Sequence, residues 1–318
     1  MDRLDPELVE PLEGLMQATG GGFDLGDLEA TRAMVAGMIA GVIAEAPPTA
    51  GIAIEDLPVP SHERGVAVPV RLYRPAAAAG PLPVLLWMHP GGFVLGSIEM
   101  DELMARQLAA GLGIAVVSVG YRLAPEHPYP APLDDCYGAL EWLGAEAAGL
   151  GLDAGRIAVG GASAGGNLAA ATCLCARDRG GPTPVLQLLV YPSLDDSNIE
   201  PASETVPENL FWSRANTRAC WHAYLNGQEA SADVPEYAAP IRAKSLGGLP
   251  NAFIGVGTAD MFLDENIAYA ERLAAAGAEV DLAVYPGAFH AFDSFAPAAR
   301  VAQRFAADRN AALRRAFG

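Results

Sequence analysis

Apolar, β-rich runs alternating with helix-like stretches dominate the chain from residue 51 onward. The clearest runs are 84–88, 114–119, 156–160, 185–190, 252–256 and 280–284. Helical patterns lie between most of them, near 99–111, 132–147, 164–178 and 264–276, and another near 296–316 closes the chain. Short apolar strands of this kind are buried on both faces, and parallel strands need helical crossovers to connect them. The alternation therefore predicts an α/β fold with a mostly parallel central sheet flanked by helices. Two further runs, near 52–58 and 66–74, bring the expected sheet to about eight strands.

Two stretches break this pattern. Residues 1–46 read as helical: Asp5-Pro6 opens one segment with Leu8, Leu12 and Leu15 on one face, and a second runs from about 27 to 44. Between Pro192 and Pro250 no strand is evident, and 210–225 looks helical and aromatic, with Phe211, Trp212, Trp221 and Tyr224. This reads as an insertion that packs over the sheet edge beside the N-terminal helices. At 318 residues the chain is long for one domain, yet α/β units of this size are common, and a single unit is expected.

Charge narrows the function classes. The formal net charge is −18, with 20 basic against 38 acidic residues, so the chain lacks the basic footprint of a general nucleic-acid binder and is repelled by anionic membranes. No stretch approaches 18 uninterrupted apolar residues, and acids stand near the start where a signal peptide carries bases. A cytoplasmic protein is expected. Cys136, Cys173, Cys175 and Cys220 form no CxxC pair and read as reduced, buried thiols. No HExxH or closely spaced His/Cys set appears, so neither metal nor organic cofactor is expected.

Gly161-Ala162-Ser163-Ala164-Gly165 follows the run 156–160 and precedes a helical pattern. A serine on such a strand-to-helix turn sits on strained backbone with its hydroxyl presented, and small neighbours make room for it. A hydroxyl needs a base to become a nucleophile. In the chain order serine, acid, histidine, only His222 and His290 follow Ser163; His222 lies in the aromatic insertion, whereas His290 follows the last strand. Asp260, after the run 252–256, is the preferred orienting acid, with Asp264 and Glu265 as competitors at the next helix start. His89-Pro90-Gly91-Gly92-Phe93 follows the run 84–88, and its glycines let backbone N–H groups approach a substrate oxygen. Pro90 has no N–H, so Gly91, Gly92 and Ala164 are the candidate donors.

These motifs together resemble the bacterial hormone-sensitive-lipase-like esterases, the family IV esterases of the α/β-hydrolase fold. Residues 121–131, YRLAPEHPYPA, are similar to the family's YRLAPEHPFPA, and GASAGGN at 161–167 to GDSAGGN. Asp260-Met261-Phe262-Leu263-Asp264-Glu265 is similar to DPLRDE, whose first acid is catalytic. Tyr285-Pro286-Gly287 with His290-Ala291-Phe292 is similar to YPG…HGF. The resemblance implies Ser163, Asp260 and His290 as a triad and Gly91, Gly92 and Ala164 as the oxyanion hole. It implies a helical cap from 1–46 and 196–245 over a core of 51–195 and 246–318.

The resemblance also implies a serine carboxylesterase acting on short- to medium-chain acyl esters, with Phe93, Tyr191, Phe211, Trp212 and Phe289 as pocket candidates. Its partner is a small-molecule ester; nothing in the sequence decides whether two copies pair through the last strand or C-terminal helix. Three departures stand out: Pro90 replaces a glycine, Ala162 an aspartate and Met261 a proline. Arg122 and Glu126 are expected to pair and organise their loop, and His89 to brace its own. A cis bond is expected at Ala124-Pro125 or Tyr129-Pro130. The same fold also serves as a non-enzymatic receptor where a triad member is lost, and the same triad serves amidases and acyltransferases.

Overall fold

Along β3 (Leu82–Met88), Val84, Leu86 and Met88 join one hydrophobic core while Leu85 and Trp87 join another, and all five are buried. The period-2 geometry of a strand thus divides the interior into two layers, one on each face of the sheet. This arrangement comes from a computed structural model that describes residues 3–78, 80–198 and 211–318. The other strands are β1 (Ile52–Pro60), β2 (Ala67–Pro75), β4 (Ala115–Val119), β5 (Leu152–Ala162), β6 (Leu186–Val190), β7 (Ala252–Gly257) and β8 (Val280–Tyr285). They form one eight-stranded sheet in the order β1-β2-β4-β3-β5-β6-β7-β8. β2 runs antiparallel to β1 and β4, and the remaining pairs are parallel.

The helices are α1 (Pro6–Ala18), α2 (Leu28–Glu45), α3 (Glu102–Leu112), α4 (Ala131–Glu146), α5 (Ala164–Arg179), α6 (Arg214–Tyr224), α7 (Leu263–Ala275), the single turn α8 (Phe292–Phe295) and α9 (Arg300–Phe317). One face of the sheet is covered by α4, α5 and α7, through Leu133, Leu140, Leu168, Leu174 and Leu273. The other is covered by α1, α3 and α9, through Leu8, Leu12, Leu108, Phe305 and Leu313. Each such side chain contributes about 1.5–3 kcal/mol on burial. α2 differs: only Thr31 and Val35 of its 18 residues are buried.

Differences from the sequence expectation have local causes. β5 begins at Leu152 rather than 156 because Asp153 and Gly155 interrupt its apolar pattern, and the pairing with β3 shifts register between Leu82 and Val84. The C-terminal helix begins at Arg300, after α8 and Pro297. The aromatic insertion helix spans Arg214–Tyr224; residues 199–210, part of the expected 196–245 insertion, lie outside the described residues. Ala124-Pro125 and Tyr129-Pro130 are both cis. The four cysteines are free and buried. Among the described residues, no helix is long and apolar enough to cross a membrane.

The expected Arg122–Glu126 pair does not form. Arg122 instead meets Asp135 of α4, whose carboxylate is fully buried, at 2.8 Å, and also meets Glu63 at 2.7 Å. Glu126 is exposed and pairs with Arg32 of α2. Buried Asp135 also accepts from Ser61 Oγ at 2.7 Å and from Arg122 N at 2.9 Å, which leaves no better partner for the Arg122 fork.

Asp135 therefore ties the end of β1, the 121–131 loop and α4 together. Asp135→Ala strands these donors, and we expect it to lower the unfolding free energy by about 3 kcal/mol. Urea unfolding followed by circular dichroism would show a lower midpoint at unchanged slope.

Candidate active site

β5 delivers Ser163 to the C-terminal end of the central strands through a turn with no spare volume. A Cβ on Gly161 would stand 2.2 Å from Gly165 O, and one on Gly165 would stand 2.1 Å from Met88 O. Only glycine fits at either position, so β3, β5 and the start of α5 close against one another through backbone. Ser163 takes φ 55° and ψ −118°, a strained conformation for a residue with a Cβ. It is fixed there by Ser163 N donating to Val190 O at 2.9 Å and by Ser163 O accepting from Asn167 N and Ser193 N, each at 3.1 Å. Ala162, where the resembled family carries aspartate, is buried; backbone bonds hold the turn beside it.

His290 reaches the serine from the loop after β8. Its Nε2 lies 2.9 Å from Ser163 Oγ, and its Nδ1 lies 2.8 Å from Asp260 Oδ2. A carboxylate only accepts, so Nδ1 carries the proton and Nε2 presents its lone pair to the serine hydroxyl. Asp260 Oδ1 accepts from Phe262 N at 3.0 Å, which fixes the carboxylate plane. The two loops are laced together: Ala259 N donates to Ala288 O, Thr258 N to Tyr285 O, and Gly287 N to Thr258 Oγ1. All three side chains are buried, which strengthens their mutual interaction over the same contacts in water.

The competing residues stand elsewhere. Asp264 is exposed. Glu265 is buried, and burial raises its pKa well above the usual carboxylate range; it accepts from Leu194 N and Asn198 Nδ2, each at 2.6 Å. His222 pairs with Glu229 at the surface. Among the described residues, no group of three or more His, Cys, Asp or Glu side chains is arranged to hold a metal.

The 89–95 loop lies against the start of α5. Gly91 and Gly92 have φ of 124° and 61°. Among the described residues, neither their N–H groups nor that of Ala164 donates to an acceptor, so three donors are free beside the serine. A Cβ on Gly92 would sit 2.3 Å from Cys220 Sγ and 3.0 Å from the Trp212 ring. His89 braces the loop: its Nδ1 donates to Pro90 O at 2.7 Å, and its ring stacks on Tyr121 with centroids 4.1 Å apart. Tyr121 Oη in turn donates to His89 O at 2.7 Å.

The aromatic candidates divide into two groups. Tyr191 meets the His290 ring edge-on at 4.9 Å, and Trp212 lies 6.4 Å from it. Phe211 joins Phe289 and Trp212 in the same enclosure. Phe93 instead stacks on Tyr224 at 3.9 Å and belongs to the core beneath α6. Phe23, Phe262 and Phe295 complete the enclosure and went unnoticed in the sequence: Phe262 lies 5.0 Å from His290, and Phe23 and Phe295 pack on Phe211. Phe262 stands in the acid loop itself and could have been found there; Phe23 had no local signal. Met261 is bound to α6 by Thr217 Oγ1, 3.2 Å from its sulfur, and Thr217 also accepts from Trp212 Nε1.

Comparisons with known proteins identify the fold and the family. The α/β hydrolase fold profile matches residues 85–294. A protein named carboxylesterase NlhH, of Mycobacterium tuberculosis, is 42% identical over 253 residues, 79% of each chain. An ethyl acetate hydrolase of Pseudomonas putida is 35% identical over 246 residues, 75% of each. The structure of a bacterial heroin esterase superposes with a TM-score of 0.92 at 40% identity, covering 100% of this chain and 99% of that one.

His89 gives the site a pH signature. Burial drives its pKa down to about 4, against the smaller opposing effect of the Pro90 bond. The unfolded chain binds a proton at this residue below about 6.5 and the native state does not until about 4, so stability is lost as pH falls through that window. We expect a loss of about 2–3 kcal/mol from this residue between pH 7 and 4. His89→Gln should flatten that part of the stability profile in urea titrations at stepped pH.

Proposed function

The chain belongs to the α/β-hydrolase fold family, in its hormone-sensitive-lipase-like branch, and is an ester hydrolase; from that premise we propose that it works as a serine carboxylesterase with Ser163 as nucleophile, His290 as general base and acid, and Asp260 as the residue that orients and stabilises the imidazolium. The observation that carries this reading is the unbroken hydrogen-bond chain from Ser163 Oγ through both nitrogens of His290 to Asp260.

Ser163 Oγ attacks the ester carbonyl while His290 Nε2 takes its proton. The carbonyl oxygen becomes an oxyanion held by the N–H groups of Gly91, Gly92 and Ala164, the last at the positive end of α5. Collapse of the tetrahedral intermediate breaks the C–O bond, and His290 gives the proton to the leaving alcohol. Water then adds to the acyl-enzyme with His290 again as base, and the carboxylic acid leaves as Ser163 regains its proton. Asp260 stays ionised throughout.

Short- to medium-chain acyl esters suit the enclosure. Tyr191, Trp212, Phe211 and Phe289 crowd the space around His290 with rigid aromatic surface. The Pseudomonas putida relative is named for an ester of two carbons on each side. We also propose that residues 1–46 and 196–245 act as the cap over a core of 51–195 and 246–318. Phe23 from the first segment packs on Phe211 and Trp212 from the second, and Trp212 in turn faces His290 at 6.4 Å.

Hydrolysis of p-nitrophenyl esters from acetate to palmitate tests the proposal. Activity should peak on the shorter esters. Ser163→Ala should lose at least about 10⁴-fold in kcat, and Asp260→Asn about 10³–10⁴-fold through the wrong histidine tautomer. Folded wild-type protein inactive on every ester, or an active Ser163→Ala, would overturn it.

A further inference from the structure

α2 is an unusual helix to find against an enzyme core. Ala33–Ala44 contains no charged residue, most of that stretch is exposed or half-exposed, and only Thr31 and Val35 of the helix are buried. Its apolar contact with the core is a narrow one, through Val35 with the half-buried Leu28, Met38 and Ile39. Arg32 is its one cation. Among the described residues, Arg32 also makes the side-chain hydrogen bonds that α2 sends beyond residue 46: Nε donates to Val94 O at 2.8 Å and Nη2 to Ala124 O at 2.9 Å. Nη1 and Nη2 hold the Glu126 carboxylate at 2.6 and 2.9 Å.

Both carbonyls belong to the support of the loop that carries Gly91 and Gly92. Val94 N and Leu95 N both donate to Gly91 O, closing a tight turn, and Ala124 N donates to Phe93 O at 2.9 Å. The guanidinium fork thus clamps the 91–95 turn against the 121–127 loop from outside, beside the backbone bond that already joins them. His89 and Tyr121 hold the other end of the same turn. Glu126 is more than half exposed, and ion pairs in that setting contribute little. The charge-assisted bonds to two carbonyls are therefore the part of this contact able to set the loop's shape.

We propose that Arg32 is a positioning residue for ester hydrolysis: it holds the Val94 and Ala124 carbonyls so that the Gly91 and Gly92 N–H groups stay aimed at the oxyanion, which makes α2 part of the catalytic apparatus. The inference rests on the reading of those N–H groups as oxyanion donors. Lysine cannot replace arginine here, because one ammonium cannot span both carbonyls in a fixed plane.

Steady-state kinetics on p-nitrophenyl butyrate with Arg32→Ala, Arg32→Lys and Glu126→Gln test it, with thermal unfolding to establish that each variant is folded. A displaced oxyanion loop weakens transition-state binding more than ground-state binding. Arg32→Ala should therefore lower kcat about tenfold while KM stays within about twofold. Arg32→Lys should show the same split, and it carries the test if the alanine variant does not fold. Glu126→Gln, which keeps an acceptor oxygen, should stay within about twofold of wild type in kcat. The proposal falls if both Arg32 variants keep wild-type kcat, if their loss lies in KM alone, or if Glu126→Gln loses as much kcat as Arg32→Ala. Wild-type inactivity, or activity surviving in Ser163→Ala, would instead sink the underlying esterase reading.

Discussion

Backbone packed on backbone at the ends of β3 and β5 is the constraint from which the site follows. Gly161, Gly165 and Met88 approach so closely that no Cβ fits on either glycine. The chain must therefore turn within one residue between β5 and α5, and that residue, Ser163, is forced into left-handed φ. A strained serine would relax in an isolated peptide. Here the strain is maintained because the flanking strand and helix are buried on both sides, and their packing outweighs a local cost of about 1–3 kcal/mol. The same closeness brings the 89–95 loop, which continues β3, against the first N–H of α5. One packing contact thus sets both the Ser163 hydroxyl and the N–H groups of Gly91, Gly92 and Ala164 beside it.

The acid and the base are placed differently. Asp260 and His290 sit on two loops that leave adjacent parallel strands, β7 and β8, and the loops are hydrogen-bonded to each other. Gly257 lies where they meet; a Cβ there would stand 2.0 Å from Ala288 O. The strand order puts β7 two strands and β8 three strands away from β5, across β6. The reach is made by side chains, and Tyr191, directly after β6, fills the gap against the edge of His290. Tyr191 is itself pinned by its hydroxyl on Asp293 at 2.7 Å and by Tyr191 N on Gly255 O at 2.7 Å.

Local chemistry was legible in the chain, and long-range polar pairing was not. The strand–turn–helix setting of Ser163, the position of His290 after the last strand and the paired glycines after β3 are each readable within a dozen residues, because glycine and turn geometry act locally. The preference for Asp260 over Asp264 and Glu265 is likewise readable from its place in the loop after a strand; the fold adds where the competitors go, Asp264 to the surface and Glu265 to Leu194 N and Asn198. Arg122 was read as a partner of Glu126, four residues away, but a buried Asp135 on the next helix offers two oxygens and better shielding. Phe93, apolar and next to the glycines, suited a pocket on sequence grounds; the packing of α6 takes it into the core instead.

α2 is the element whose docking is least legible in the chain. From Ala33 to Ala44 it carries no charged residue, so no polar stripe marks an exposed face there, and periodicity, the usual guide to how a helix docks, says little about it. Beside the packing of Leu28, Val35, Met38 and Ile39, one guanidinium stands in register with two backbone carbonyls that lie 62 and 92 residues away. Backbone carbonyls carry no sequence signature, since every residue has one. A contact of this kind can only be found once the fold has brought the loops together. The two kinds of contact differ within the molecule: backbone closure fixes Ser163 at the end of β5, while α2 meets the 91–95 turn through the polar contacts of Arg32.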